Sequence, residues 1–265
     1  MIGIDKFIFS PLEEMMGSIK IIGQKSKGKW RVDITKRREY NIAVFGCSFT
    51  YGWGVEEEES WPYLLGKLFG DKVQLWNFGI PGTSMEMIAK LALKVQEDLN
   101  PDLIIVWWPE TLRRVWIKED GSPLQWTWEG FIYDRVGREA EHESLTILSH
   151  NLNDYSYTLS QAALINKTAN RCINIFQVDW YDIKFKEELS KYYGIEEVID
   201  CLLAKDYQLP EGRERKRWMD WDRDGRWSIS KKDMHPNARW HNKFAKHLKE
   251  RVDIGGKKIN ELDKA

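Results

Sequence analysis

Cysteine is scarce in this chain, and the three present, Cys47, Cys172 and Cys201, are an odd number without close pairing. That set excludes a disulfide-stapled framework and matches no zinc-ligand spacing, so free thiols in a reducing compartment are expected. A long apolar run is also missing. Phe7, Ile8 and Phe9 are followed by Glu13 and Glu14 before any stretch of signal-peptide or membrane-spanning length can form. The expectation is therefore a cytoplasmic protein that does not insert into membranes. Charge of one sign is lacking too: 40 basic residues stand against 41 acidic ones, for a net charge of -1. There is no global field to gather nucleic acid or an anionic membrane surface, and neither is expected as a partner. No internal repeat or low-complexity tract is present, which argues against a solenoid.

What the sequence does have is a globular composition, with 42% hydrophobic and 31% charged residues over 265 positions. This length supports one sizeable core rather than two, giving a single domain with insertions. Fourteen tryptophans exceed what such a core needs. Flat aromatic rings suit core packing first, and stacking on a sugar or another ring-bearing ligand second.

Four short apolar runs read as buried parallel strands: Ile42 to Phe45, Val73 to Phe78, Leu103 to Trp108 and Cys172 to Val178. Helix-period segments lie between and after them. One opens at Thr83, where Thr83 and Glu86 suggest a capping box, repeats through Met87, Ile88, Leu91, Val95 and Leu99, and stops at Pro101. Others span about Asp154 to Arg171 and Asn237 to Val252, the last burying Trp240, Phe244, Ala245 and Leu248. Alternation of strand and helix predicts a doubly wound α/β fold.

Residues 1–40 read as an extension on the sheet edge, with the domain proper at 41–255. About 116–151 is an insertion after the third strand, holding Trp126, Trp128, Phe131 and Tyr133. It either shapes substrate access or decorates the surface. The stretch Leu209 to Lys232 reads as a charged, solvated loop. Within it, Asp220, Asp222, Asp224 and Gly225 have calcium-loop spacing, but Lys231 occupies the twelfth position where a bidentate glutamate would be needed. A turn-rich loop of solvated acids is the favoured reading, and no metal is expected.

In open α/β sheets ligands collect at the carboxyl ends of the strands. The first predicted strand ends in Phe45-Gly46-Cys47-Ser48-Phe49-Thr50, where Gly46 is expected to let the chain turn sharply and leave the Ser48 hydroxyl just past the strand tip. The second ends in Asn77-Phe78-Gly79-Ile80-Pro81-Gly82-Thr83-Ser84, which puts Gly82 before a helix start, where backbone N–H groups can hold an oxyanion. Asp233-Met234-His235-Pro236 precedes the last helix. A serine hydroxyl needs an imidazole to take its proton, and a carboxylate to fix that imidazole's tautomer. His235 and Asp233 are suited to these parts, whereas His142, His150, His241 and His247 read as structural. Cys47, beside Ser48, reads as a buried thiol rather than a nucleophile.

Taken together, these blocks resemble the SGNH hydrolase superfamily, also called GDSL esterases and lipases. Gly46-Cys47-Ser48-Phe49 is similar to the family's first block with Cys47 in place of aspartate, Asn77 to Thr83 resembles the second, and Asp233-Met234-His235-Pro236 resembles a last block shortened by one residue. The resemblance spans residues 42–248. It implies a three-layer α/β/α sandwich with a central, mainly parallel, flavodoxin-like sheet. It further implies Ser48 as nucleophile, His235 as base, Asp233 as its orienter, and the Gly82 and Ser48 amides as oxyanion donors.

The family's third block carries an asparagine, and here Trp107-Trp108-Pro109-Glu110-Thr111-Leu112-Arg113 has none. Thr111 and Arg113 are then further candidates for the oxyanion, and Trp107 and Trp108 are expected at the mouth of the cleft, with Trp108 a candidate substrate contact. The implied activity is hydrolysis of an acyl ester through an acyl-enzyme, without cofactor, on an acylated, for instance acetylated, carbohydrate or small ester. Two alternatives stay open: an O-acyltransferase of the same family, and a ligand-binding or structural domain on the same fold.

Overall fold

The computed structural model describes residues 36–109, 158–176, 189–199, 227–230, 233 and 235–253, and the backbone alone of 114–117, 123–126 and 151–157. Its centre is a five-stranded, all-parallel sheet of β1 (Tyr40–Gly46), β2 (Val73–Gly79), β3 (Leu103–Trp108), β6 (Cys172–Phe176) and β7 (Glu197–Val198). The order across the sheet is β2-β1-β3-β6-β7. Numbered within the sheet alone, this is the 2-1-3-4-5 order of flavodoxin-like folds.

The strands form here because both of their faces are buried. Along β3, Leu103, Ile105 and Trp107 enter one core, while Ile104, Val106 and Trp108 enter the other. A strand covered on both sides reads as an unbroken apolar run, which is what LIIVWW is. The first core is closed by α2 (Trp61–Phe69) and α5 (Ala238–Lys249), through Trp61, Leu65, Phe69, Trp240, Phe244 and Leu248. The second is closed by α3 (Met85–Leu99) and α4 (Asn151–Thr168), through Met85, Ile88, Leu91, Val95, Leu159, Ala162 and Ile165. The result is a three-layer α/β/α sandwich.

The chain steps from β1 to β2 in one direction and then from β2 past β1 to β3 in the other. Its crossover helices α2 and α3 accordingly lie on opposite faces, as right-handed crossovers demand. The strand order reverses beside β1, so the crevice at its carboxyl end is where a ligand has room. A short helix, α1 (Ser48–Tyr51), begins two residues after β1.

Several elements differ from the sequence expectations. Helix α2 was not anticipated, because Pro62 and Gly66 interrupt its pattern; the proline is harmless in the first turn, where its missing N–H has no acceptor to lose. The α3 cap is Ser84, whose hydroxyl accepts from the Met87 amide at 3.4 Å, and not Thr83. Thr83 lies one residue earlier, buried, with its hydroxyl unpaired. After β3, β4 (Arg114–Ile117) pairs antiparallel with β5 (Pro123–Trp126). The predicted edge-packed extension lies outside the described residues up to 35, and β1 already opens at Tyr40. Also outside are Cys201, His142, His150 and the acidic loop with Asp220, Asp222 and Asp224.

Of the seven tryptophans whose side chains are described, five are core. Trp61, Trp76, Trp107, Trp108 and Trp240 are each at most 2% exposed. Trp107, Trp240 and Phe244 form one cluster, with ring centroids 4.7 to 5.4 Å apart, and Phe49 joins it at 5.9 Å from Trp107. Each such pair adds about 0.5–1.5 kcal/mol beyond simple burial.

Candidate active site

Ser48 is the first residue of α1 and is buried. Its hydroxyl lies 4.0 Å from the Cys47 sulfur, a loose contact. The turn that holds it is closed by backbone bonds. The Cys47 carbonyl accepts from the Thr50 and Tyr51 amides, and the Ser48 carbonyl accepts from Gly52 and Trp53, at 3.0 to 3.1 Å. Gly52 ends the helix in the left-handed region at φ 82°, a conformation that favours glycine.

The two strand tips under α1 are glycines for a steric reason. A Cβ on Gly46 would stand 2.1 Å from the Thr50 hydroxyl oxygen, and one on Gly79 would stand 2.4 Å from the Tyr51 nitrogen. Gly46 thus lets the helix settle onto the strand end. It does not adopt a positive φ, so the sharp turn expected from the sequence is not its task.

Asn77 locks the second tip to α1. Its amide nitrogen donates to the Thr50 carbonyl at 3.0 Å, and its oxygen accepts from the Gly79 amide at 2.9 Å. Beyond it, the Ile80 amide donates to the Gly46 carbonyl at 2.9 Å, and the Thr83 amide to the Ile80 carbonyl at 3.2 Å. Ile80 to Thr83 is therefore a tight turn with Pro81 second and Gly82 third, the latter at φ 74°. This is the residue order of a type II turn.

His235 sits on a loop built by pairing with residues 227–230. Ser228 and Pro236 form an antiparallel bridge, the Ile229 amide donates to the His235 carbonyl at 2.9 Å, and the Asn237 amide donates to the Trp227 carbonyl at 2.8 Å. Asn237 fastens the loop to α5: its oxygen caps the Trp240 amide at 3.1 Å, while its nitrogen donates to the Ser228 carbonyl at 3.0 Å. The end of the stretch expected to be a solvated loop is thus a structural brace for the histidine.

Asp233 Oδ1 lies 2.6 Å from His235 Nδ1 and accepts from the His235 amide at 3.0 Å. Burial pushes the Asp233 carboxyl up, but the bonds from the His235 amide and ring outweigh it and hold the group below the ordinary carboxylate range. An ionised carboxylate only accepts, so Nδ1 carries the proton and Nε2 presents its lone pair. The imidazole lies against Phe49, the residue after Ser48, at 5.8 Å, and against Trp53 at 6.2 Å. The turn that holds Ser48 and the histidine loop are therefore neighbours, although among the described residues no hydrogen bond joins the Ser48 hydroxyl to the His235 ring.

Of the other expected site residues, Gly82 is in the turn tied to Gly46, and Thr111 and Arg113 lie outside the described residues. Neither Trp107 nor Trp108 stands at the mouth of a cleft. Both are fully buried, because alternation along β3 turns Trp107 into the α2–α5 core and Trp108 into the α3–α4 core, where its indole N–H donates to Asn174 at 2.9 Å. Of the two histidines on α5, both read as structural, His241 is fully buried and accepts from the Trp61 amide at 3.2 Å, capping α2, and His247 is buried and stacks on Phe244. Among the described residues no cluster of His, Cys, Asp and Glu could hold a metal ion, and no helix is long and apolar enough to cross a membrane.

Sequence reasoning missed Asn77, Phe49 and Trp53 as builders of this site. An asparagine inside the otherwise apolar end of β2 was the available signal for the first.

No protein-family model matches the chain, and no curated protein matches it in sequence. Among solved structures it is similar to the psychrotrophic esterase EstA from Pseudoalteromonas sp., with 10% identity, 85% of this chain and 99% of that one covered, and a TM-score of 0.47. It is also similar to a member of the lipolytic protein G-D-S-L family from Veillonella parvula (14% identity, 79% and 96% covered, TM-score 0.45). A third is the Clostridium thermocellum family 3 carbohydrate esterase (14% identity, 84% and 98% covered, TM-score 0.44).

Proposed function

We propose that this chain is a serine ester hydrolase working through an acyl-enzyme, with an acylated carbohydrate or small ester as substrate. The observation that carries the reading is the 2.6 Å contact between Asp233 Oδ1 and His235 Nδ1, on a loop packed against the residue next to Ser48. A proton fixed on Nδ1 leaves Nε2 as the base that a serine nucleophile requires.

In the first half-reaction Ser48 Oγ attacks the ester carbonyl carbon while its proton passes to His235 Nε2. The negative charge on the carbonyl oxygen is met by backbone N–H groups of Ser48, at the start of α1, and of Gly82. When the tetrahedral centre collapses, the carbon–oxygen bond to the alcohol breaks and His235 returns the proton to that oxygen. Water then attacks the acyl-serine with His235 again as base, releasing the acid and restoring Ser48. Asp233 stays ionised throughout and steadies the imidazolium.

The test is hydrolysis of p-nitrophenyl acetate by the native chain and by Ser48→Ala and His235→Ala. Each variant is expected to lose on the order of a thousandfold or more in kcat, and unchanged turnover in Ser48→Ala would defeat the reading.

A further inference from the structure

Trp53 is the exception among the described tryptophans. The five core ones are at most 2% exposed, and Trp227 is covered by the cations of Arg239 and Lys243 at 5.0 and 4.8 Å. Trp53 is 48% exposed and lies beside His235, with ring centroids 6.2 Å apart and planes tilted by 43°. Its backbone is pinned, since its amide donates to the carbonyl of Ser48 itself at 3.0 Å.

The next residue, Gly54, has φ 82°, and a Cβ there would fall 1.9 Å from Cδ1 of Ile229. Ile229 is another large apolar side chain exposed on this rim, at 37%, and its amide donates to the His235 carbonyl at 2.9 Å. Two exposed apolar groups, one from each loop, thus lie beside the candidate base. A lone exposed apolar residue calls for no explanation, but an indole whose backbone amide is tied to the Ser48 carbonyl, and which lies beside the imidazole, is placed for a ligand.

The chemistry fixes which part of the substrate that is. His235 Nε2 must reach the oxygen of the departing alcohol to protonate it, so the alcohol side of the ester lies on the histidine side of the site. From this juxtaposition we propose that Trp53 is a specificity-determining residue for the alcohol moiety, offering an indole face to a ring-bearing alcohol such as a pyranose or an aryl group. The inference rests on the ester-hydrolase reading above and adds to it the side of the substrate on which selection occurs.

The test compares kcat/KM of the native chain, Trp53→Ala and Trp53→Phe over two series. In the first the acyl group is acetyl and the alcohol is ethanol, phenol or methyl glucopyranoside; in the second the alcohol is phenol and the acid is acetic, butyric or hexanoic. Relative to ethyl acetate, Trp53→Ala is expected to lose about three- to tenfold on a ring-bearing ester. Trp53→Phe should retain most of the preference, and the dependence on acyl length should run parallel in all three proteins. Loss on the pyranoside alone identifies a sugar platform, and loss on phenyl acetate alone an aryl platform. An equal loss across the alcohol series, or a change that follows acyl length, overturns the inference. Absence of Ser48-dependent hydrolysis in the native chain is a separate outcome, which removes the hydrolase reading and this inference with it.

Discussion

Asp233 Oδ1 accepts from both the backbone amide and the ring Nδ1 of His235, although only one residue separates them. The carboxylate reaches forward to the amide and the ring two residues on, so a single intervening residue still lets it hold the imidazole. Removing the acceptor character while keeping the shape should therefore expose the role. Asp233→Asn is expected to lower kcat by about 10²- to 10⁴-fold with a smaller effect on KM, because the amide favours the wrong tautomer. Steady-state kinetics on p-nitrophenyl acetate would measure it.

The same carboxyl makes a pH prediction for stability. Its native pKa is held below the ordinary value, so its contribution is present above the unfolded-state pKa of about 3.9 and disappears as pH falls through the lower native value. The group is 38% exposed, and solvent keeps that contribution small. In urea melts the native chain should exceed Asp233→Asn at pH 6–7, and the gap should close on acidification below about pH 4.

Glycine substitutions should separate crowding from backbone strain. Gly79→Ala pushes a methyl into the backbone of Thr50 and Tyr51, and overpacking of this kind costs about 1–3 kcal/mol or more. It should also displace α1 and lower activity. Gly82→Ala meets no neighbouring atom but must hold φ 74°, at about 1–2 kcal/mol. Urea unfolding midpoints should rank Gly79→Ala below Gly82→Ala.

Asn77→Leu leaves the Thr50 carbonyl and the Gly79 amide without the partners they have now. A buried polar group that loses its bond costs about 1–3 kcal/mol. Chemical denaturation should register that loss, together with slower acylation of Ser48, since the clamp ties the end of β2 to α1, where Ser48 sits.

His241 offers the contrast to His235. It caps α2 through the Trp61 amide from inside the core, so His241→Ala should lower the melting temperature while Ser48 remains reactive.

The sheet was legible because strands buried on both faces leave apolar runs bounded by turn residues, as in LIIVWW of β3 and CINIF of β6. Helix α2 was not, because its amphipathic stripe is only nine residues long and broken by Pro62 and Gly66. The strand β7 has two residues, too few to leave a pattern. At the site, Ser48, Gly82, Asp233 and His235 could be placed at strand ends and a helix start from local motifs. Trp107 and Trp108 do not reach a cleft because β3 is covered on both faces, so two adjacent residues are buried one in each layer. Asn77 and Trp53 escaped notice because their significance depends on contacts with chain 27 and 182 positions away, at Thr50 and His235.

In the proposed reaction Ser48 is a nucleophile activated by His235. Incubation with a fluorophosphonate followed by peptide mass mapping probes that activation at the serine itself. One phosphonyl group per chain on Ser48, lost in Ser48→Ala and strongly slowed in His235→Ala, is the predicted result. A native chain that stays unlabelled at Ser48 while properly folded would contradict it.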